Sequence, residues 1–259
     1  MFDRTRFASL LLTRTRTASG VWEDVSCSSE FDLLFDLSRI FGRRFDAGKP
    51  ARTAGEIGDV ISAVIADQDS NGNLERVADL RWVHHREDQF RHIFEFKAIK
   101  GATYSACWGV SLDFVPIANR GRLAWKRTSK SARMDLCIDP IDKKGSNSKW
   151  CSFFYNDDDR RIGTVARASL RVAGVDLAKL NSLQGVLSAF EQRAAMQFER
   201  FSLENYVQTD LAWGLLLIAL AREDEGVRRL GRYCERSGVS RDDALLAKAR
   251  AAARNIATN

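Results

Sequence analysis

Proline is scarce in this sequence: Pro50, Pro116 and Pro140 are the three in 259 residues, and none lies beyond Pro140. That excludes a proline-rich linker and leaves the C-terminal third open to long helices. No apolar run approaches the roughly 20 residues a bilayer crossing needs. The longest, Leu211 to Ala221, is closed by Asp210 and Arg222 and reads as a buried helix. Phe2 to Thr17 carries Arg4, Arg6, Arg14 and Arg16 without the apolar stretch of a secretory signal, so export and membrane association are not expected. The five cysteines, Cys27, Cys107, Cys137, Cys151 and Cys234, are odd in number and show no C-x-x-C spacing. They read as reduced, mostly buried thiols of a cytoplasmic protein. The glycines form neither a Walker loop nor a dinucleotide fingerprint, and no nucleophile elbow surrounds a serine. No cofactor is therefore expected.

What is present is an ordinary globular composition, 45% apolar and 29% charged, which excludes disorder as the dominant state. Thr53 and Glu56 form a capping-box pair ahead of Ile57, Val60, Ile61, Val64 and Ile65, whose spacing of three and four predicts a helix with one apolar stripe. Phe31, Leu34, Phe35, Phe41 and Phe45 suit an earlier helix after Ser29. The centre changes to a period of two. Ala106, Trp108, Val110, Leu112 and Phe114 alternate with Cys107, Gly109, Ser111 and Asp113, which predicts a half-buried strand, and Phe90, His92, Phe94, Phe96 and Ala98 predict its hairpin partner. Shorter strands are expected around Leu123–Thr128, Met134–Ile138 and Trp150–Tyr155. Beyond these, Leu180, Leu183, Leu187, Phe190, Ala194, Phe198 and Phe201 return to helical steps. The expectation is a single α+β domain over residues 1–259. Its central antiparallel sheet of four to six strands, within 90–156, packs against an N-terminal helical part, 1–85, and a C-terminal one, 176–257.

The order of three pieces resembles a known family: a strand ending in Trp108-Gly109-Val110-Ser111-Leu112, then Arg161-Ile162-Gly163, then a long helix leading into Phe198 to Tyr206. They resemble the bacterial domain-of-unknown-function family numbered 4304. The resemblance spans under half the chain and lacks the paired tryptophans expected after Arg-Ile-Gly. It implies an α+β fold and no activity.

Three constellations have the residue types of a reactive or metal-binding site. Asp79 followed by Glu95-Phe96-Lys97 follows the order of restriction-type nucleases, in which two carboxylates hold Mg²⁺ and a lysine stands near the attacking water; Glu95 and Lys97 share a strand face. Charges two apart on a strand are also ordinary cross-strand partners. His84, His85 and His92 lie near Glu87 and Asp88, a grouping suited to zinc by type, although neighbouring histidines point apart and His92 falls on the apolar side of its strand. Asp67-Gln68-Asp69-Ser70-Asn71-Gly72 copies the first half of an EF-hand loop, but the final position, which calls for glutamate, is Ala78.

Charge supplies the remaining signal. From Arg120 to Lys149 nine basic residues face only Asp135, Asp139 and Asp142, an excess equal to the net +6 of the whole chain. If Gly121 to Lys130 is one strand, Leu123 and Trp125 face the core while Arg120, Arg122, Lys126 and Lys130 form a stripe that would attract an acidic protein or nucleic acid. The same charges also suit a strand protected from edge-to-edge pairing. The sequence points to a non-enzymatic binding module, of the immunity or defence accessory type, with Arg120, Arg122, Lys126 and Lys130 as its binding residues. The alternative is a metal-dependent nuclease, with Asp79, Glu95 and Lys97 as its catalytic residues, or a nucleic-acid-binding protein.

Overall fold

The first described turn of helix is built as its capping pair predicts. Thr53 N donates to Glu56 Oε2 at 2.7 Å, and Glu56 N donates back to Thr53 Oγ1 at 3.2 Å. These bonds satisfy donors that open helix α1 (Ala54–Gln68) and hold the Glu56 carboxyl below its ordinary value. Ile57, Ile61, Val64 and Ile65 form its buried stripe. Gly58 brings the helix close to the sheet, since a β carbon there would stand 2.0 Å from the Asp79 carbonyl oxygen. The computed structural model describes residues 52–68, 74–85, 89–99, 103–119, 122–125, 128–138, 140, 150–195 and 207–258. The helix expected after Ser29 lies outside them.

Four strands then run as an antiparallel meander: β1 (Glu75–Ala78), β2 (Arg81–His85), β3 (Phe90–Ile99) and β4 (Thr103–Leu112). The far edge of β4 is shared by two later strands. Its C-terminal half pairs with β7 (Leu136–Ile138) and its start with β8 (Ser152–Phe154). Between them in the chain, β5 (Ile117–Asn119) and β6 (Arg122–Ala124) form a separate two-stranded ribbon. The β3–β4 register sets Phe94 against Trp108 and Phe96 against Ala106, so the even-numbered residues share one face. On that face Trp82, Phe94, Phe96, Trp108 and Phe153 meet α1 and α2 (Asp159–Lys179). Farther along, Phe90, Val110, Leu112 and Leu136 meet a second cluster, which includes α3 (Leu183–Ala195) and α4 (Val207–Ala219). The protein is α+β, with its six-stranded antiparallel sheet roofed by helices from both sides of the sequence.

The C-terminal helices pack around α4, which is buried from Thr209 to Ala219. Helix α5 (Glu223–Ser237) approaches it through facing glycines, for a β carbon on Gly226 would stand 2.6 Å from the Gly214 carbonyl oxygen. Ala221 turns the chain between them at a positive φ of 60°, and Gly238 closes α5 at 72°. Asp243 then caps α6 (Ala244–Ala257) by accepting from Leu245 N and Leu246 N. Among the described residues, no helix is long and apolar enough to cross a membrane.

Three features differ from the sequence expectation. The N-terminal helical part does not extend to residue 85, because 75–85 form the hairpin β1–β2. The C-terminal helical part starts earlier than 176, where the Asp158 side chain accepts from Arg161 N at 2.8 Å and starts α2. Ile162, Val165, Ala166, Ser169 and Ala173 then form a buried stripe among exposed arginines. Finally, β4 is not half-buried: Cys107, Gly109 and Ser111 are covered as well. The segment before β7 folds over this second face and sets Ala132 against Val83 and Ile93.

Candidate functional site

The cationic segment is divided where a single strand was expected. Strand β6 is three residues long, and Thr128–Ser131 is a turn. In that turn Thr128 N donates to Ser131 Oγ at 3.0 Å, and Ser131 N donates to Thr128 Oγ1 at 3.2 Å. Hydroxyl side chains that bond nearby amides compete with a strand ladder, which is why the extended run stops. Arg122 opens β6 opposite Asn119 and is exposed, and Lys130 is exposed in the turn. Arg120 and Lys126 lie outside the described residues.

Beneath these cations the ribbon is anchored. Leu123 is buried, while Trp125 packs half-buried against the α4–α6 cluster with Lys248 Nζ 5.6 Å from its ring centre. Asp135, the one described acid of residues 120–149, is turned inward, where its Oδ2 accepts from Leu112 N at 2.7 Å. Among the described residues neither Arg122 nor Lys130 has a carboxylate partner. Elsewhere arginines are commonly paired, as Arg76 is with Asp59 at 2.6 Å and Arg254 with Glu223 at 2.5 Å.

A second constellation occupies the covered face of the sheet. Glu95 is 4% exposed. Arg81 Nε lies 2.5 Å from its Oε2, and Lys97 Nζ lies 3.1 Å from its Oε1. The Cys107 thiol donates to Oε1 at 3.7 Å, and Lys97 Nζ lies 3.8 Å from Cys137 Sγ. Cross-strand register causes this convergence, because Arg81, Glu95 and Cys107 stand opposite one another on β2, β3 and β4. Burial alone would lower the Lys97 pKa, but Cys137, Cys107 and Glu95 outweigh it and hold the ammonium above its ordinary value. The Cys107 thiol is pushed up, first by its hydrogen bond with Cys137 and then by burial. Ser105, opposite Lys97, is buried, and among the described residues its Oγ has no hydrogen-bond partner.

The structure therefore brings Glu95 and Lys97 together. Asp79 stands exposed in the β1–β2 turn, apart from the ion pairs that hold Glu95. Both Glu95 oxygens already meet cations, and among the described residues no group of three His, Cys, Asp or Glu side chains is placed to hold a metal ion.

His84 and His92 face each other across β2 and β3 with ring centres 6.0 Å apart. His92 is buried, and its Nε2 lies 3.0 Å from the Leu180 carbonyl oxygen. Only the backbone of His85 is described, and Glu87 and Asp88 lie outside the described residues. Of the EF-hand-like stretch, Asp67 and Gln68 belong to α1 and Ala78 to β1, while 69–73 lie outside.

One charged cluster was not singled out from the sequence. Asp210 on α4, 7% exposed, receives Arg229 at 3.1 Å, Arg236 at 3.3 Å and Arg232 at 3.5 Å from α5. The signal was the three–four spacing of those arginines, which places them on one helical face.

No protein-family model matches the chain, no curated protein matches it, and no solved structure matches it.

Proposed function

We propose that this protein is a non-enzymatic interaction module, of the immunity or defence accessory type, that docks an acidic protein surface on the cations of the β5–β6 ribbon and the following turn. One observation carries the reading: Arg122 and Lys130 are exposed without a carboxylate partner among the described residues, while Asp135 is drawn inward to Leu112 N. The ribbon holds these charges on a packed base, so less ordering entropy opposes binding there than on a mobile tail. A protein partner is favoured over nucleic acid because the ribbon's own aromatic ring, Trp125, is half-buried with Lys248 beside it and offers little face for base stacking. The accessory type is an analogy from fold class and adds no partner. The resemblance to the family numbered 4304 likewise adds no activity.

The test is binding of the full chain to poly-glutamate, with duplex DNA and single-stranded RNA of matched charge in parallel. The expected result is salt-sensitive binding to poly-glutamate that Arg122→Glu with Lys130→Glu weakens at least about tenfold, since close charge pairs set encounter and register. Binding unchanged by the double reversal would remove this surface. Tighter, equally sensitive binding to nucleic acid would replace the acidic protein as partner.

A further inference from the structure

The Glu95–Lys97 cluster includes two thiols that the binding reading does not use. Cys137 on β7 pairs with Gly109 on β4, two residues along the strand from Cys107. Gly109 permits this closeness, because a β carbon there would stand 1.9 Å from the Leu136 carbonyl oxygen and 3.1 Å from the Cys137 α carbon. Both thiols converge on the Glu95–Lys97 ion pair, Cys107 Sγ 3.7 Å from Glu95 Oε1 and Cys137 Sγ 3.8 Å from Lys97 Nζ. Their surroundings differ. Cys107 is 1% exposed and points its S–H at Glu95, whereas Cys137 is half-buried beside the half-exposed Lys97 ammonium.

We propose that Cys107 and Cys137 form a peroxide-oxidised dithiol site, in which Cys137 is the attacking thiol, Cys107 the resolving thiol, Lys97 the cation that favours the Cys137 thiolate, and Glu95 the proton acceptor for Cys107. A cation near a thiol favours the nucleophilic thiolate, and partial exposure admits a small oxidant. In the first step the Cys137 thiolate attacks one oxygen of hydrogen peroxide and the O–O bond breaks. The departing hydroxide takes the proton that the thiol released, giving Cys137 sulfenic acid and one water. In the second step Cys107 passes its proton to Glu95 as its sulfur attacks the Cys137 sulfur. The S–O bond breaks and the hydroxide leaves as a second water with that proton. Two thiols are oxidised to one disulfide by two electrons, and one peroxide is reduced to two waters.

The roles follow from the geometry. Arg81 at 2.5 Å holds Oε2 of Glu95 and aims the carboxylate at the strand pair, leaving Oε1 toward both Lys97 and Cys107. The Cys107 hydrogen bond and burial disfavour its thiolate, which suits a second attacker whose proton leaves only in the resolving step. Cys151 and Cys234 are buried elsewhere, Cys151 in the α1–α2 cluster and Cys234 on α5. They serve as internal references for unactivated thiols.

The experiment treats the reduced full chain with hydrogen peroxide, blocks the remaining thiols by alkylation and maps the peptides. A Cys107–Cys137 disulfide formed ahead of oxidation at Cys151 and Cys234 is the expected result. In Cys107→Ser, dimedone should trap a sulfenic acid on Cys137. Lys97→Met should slow Cys137 oxidation about tenfold and Lys97→Arg should restore most of it, because the charge rather than the amine favours the thiolate. Another disulfide pairing, or Cys137 oxidation no faster than that of Cys151 and Cys234, would overturn the proposal. The unaltered chain decides both points, so a substituted chain that fails to fold leaves the test intact.

Discussion

Arg229 Nη1 donates to Asp210 Oδ1 at 3.1 Å from one helix to the next, and the same guanidinium lies 3.2 Å from the centre of the Trp213 ring. Arg232 and Arg236 reach the same carboxylate from successive turns of α5. One buried acid thus holds the register of α5 against α4. Asp210→Ala would remove the buried carboxylate that Arg229, with 21% of its side chain exposed, shares with Arg232 and Arg236. The expected loss is about 2 kcal/mol, below the roughly 3–5 kcal/mol of a fully buried pair because Arg232 and Arg236 can turn to water. Urea unfolding should show a lower midpoint with an unchanged slope.

The glycine contact between the same two helices predicts an ordering of costs. At Gly226 a new β carbon would stand 2.6 Å from a backbone oxygen of α4, which cannot move without shifting the helix. At Gly214 the nearest atoms are Cδ2 and Cγ of the buried Leu230 at 2.9 Å and the Gly226 carbonyl oxygen at 3.0 Å, a milder overlap. Both alanines gain helix propensity of about 1 kcal/mol. Gly226→Ala should still lose about 2 kcal/mol net, and Gly214→Ala, with the milder overlap, should lose less, about 1 kcal/mol. Thermal unfolding of the two variants in parallel checks the order.

Acid stability should depend on Glu223. Arg254 holds its carboxyl below the ordinary 4.5 through a hydrogen bond and then by charge, and Arg250 adds to the charge. A carboxyl whose folded pKa is depressed contributes stability that is fully present above its unfolded value and is lost as pH falls through the folded value. Glu223→Gln should therefore flatten part of the acid limb below about pH 4.5 and lower stability slightly at neutral pH. The carboxylate is 39% exposed, so solvent screening keeps the effect small. Denaturant midpoints at neutral pH and in the acid limb measure it.

Much of this architecture could be read from residue spacing. The Thr53–Glu56 pair and the stripe from Ile57 to Ile65 were enough for α1, and the alternation from Phe90 to Phe114 was enough for β3 and β4. Glu75-Arg76-Val77-Ala78 has no alternation, and its strand exists because β2 offers an edge, so β1 was invisible. The second covered face of β4 was equally hidden. Cys107, Gly109 and Ser111 read as a solvent side until the chain between 128 and 135 folds across them. The same effect splits the cationic stripe. The Leu123–Trp125 alternation gives no warning that the Thr128 and Ser131 hydroxyls will bond a turn instead. The Glu95–Lys97 pair was readable from a period of two, but its thiol partners depend on strand register, which local spacing does not specify.

His92 joins the middle of the sheet to the end of a helix. Its Nε2 lies 3.0 Å from the carbonyl oxygen of Leu180, the C-cap residue of α2, and both residues are buried. Helix ends leave carbonyls without an intrahelical donor, so an imidazole N–H at this point satisfies an acceptor that water cannot easily reach. His92→Leu keeps the volume approximately but removes the donor, and leaving a buried acceptor unpaired costs about 1–3 kcal/mol. His92→Gln can return an amide N–H to the same carbonyl and should recover part of that loss. The loss should be localised at first: amide exchange in the last turn of α2 should accelerate in His92→Leu before exchange in β3 does, because the helix end can fray while the β2–β3–β4 ladder stays paired. Equal acceleration in both elements would show that the contact supports the sheet as a whole instead of the end of the helix.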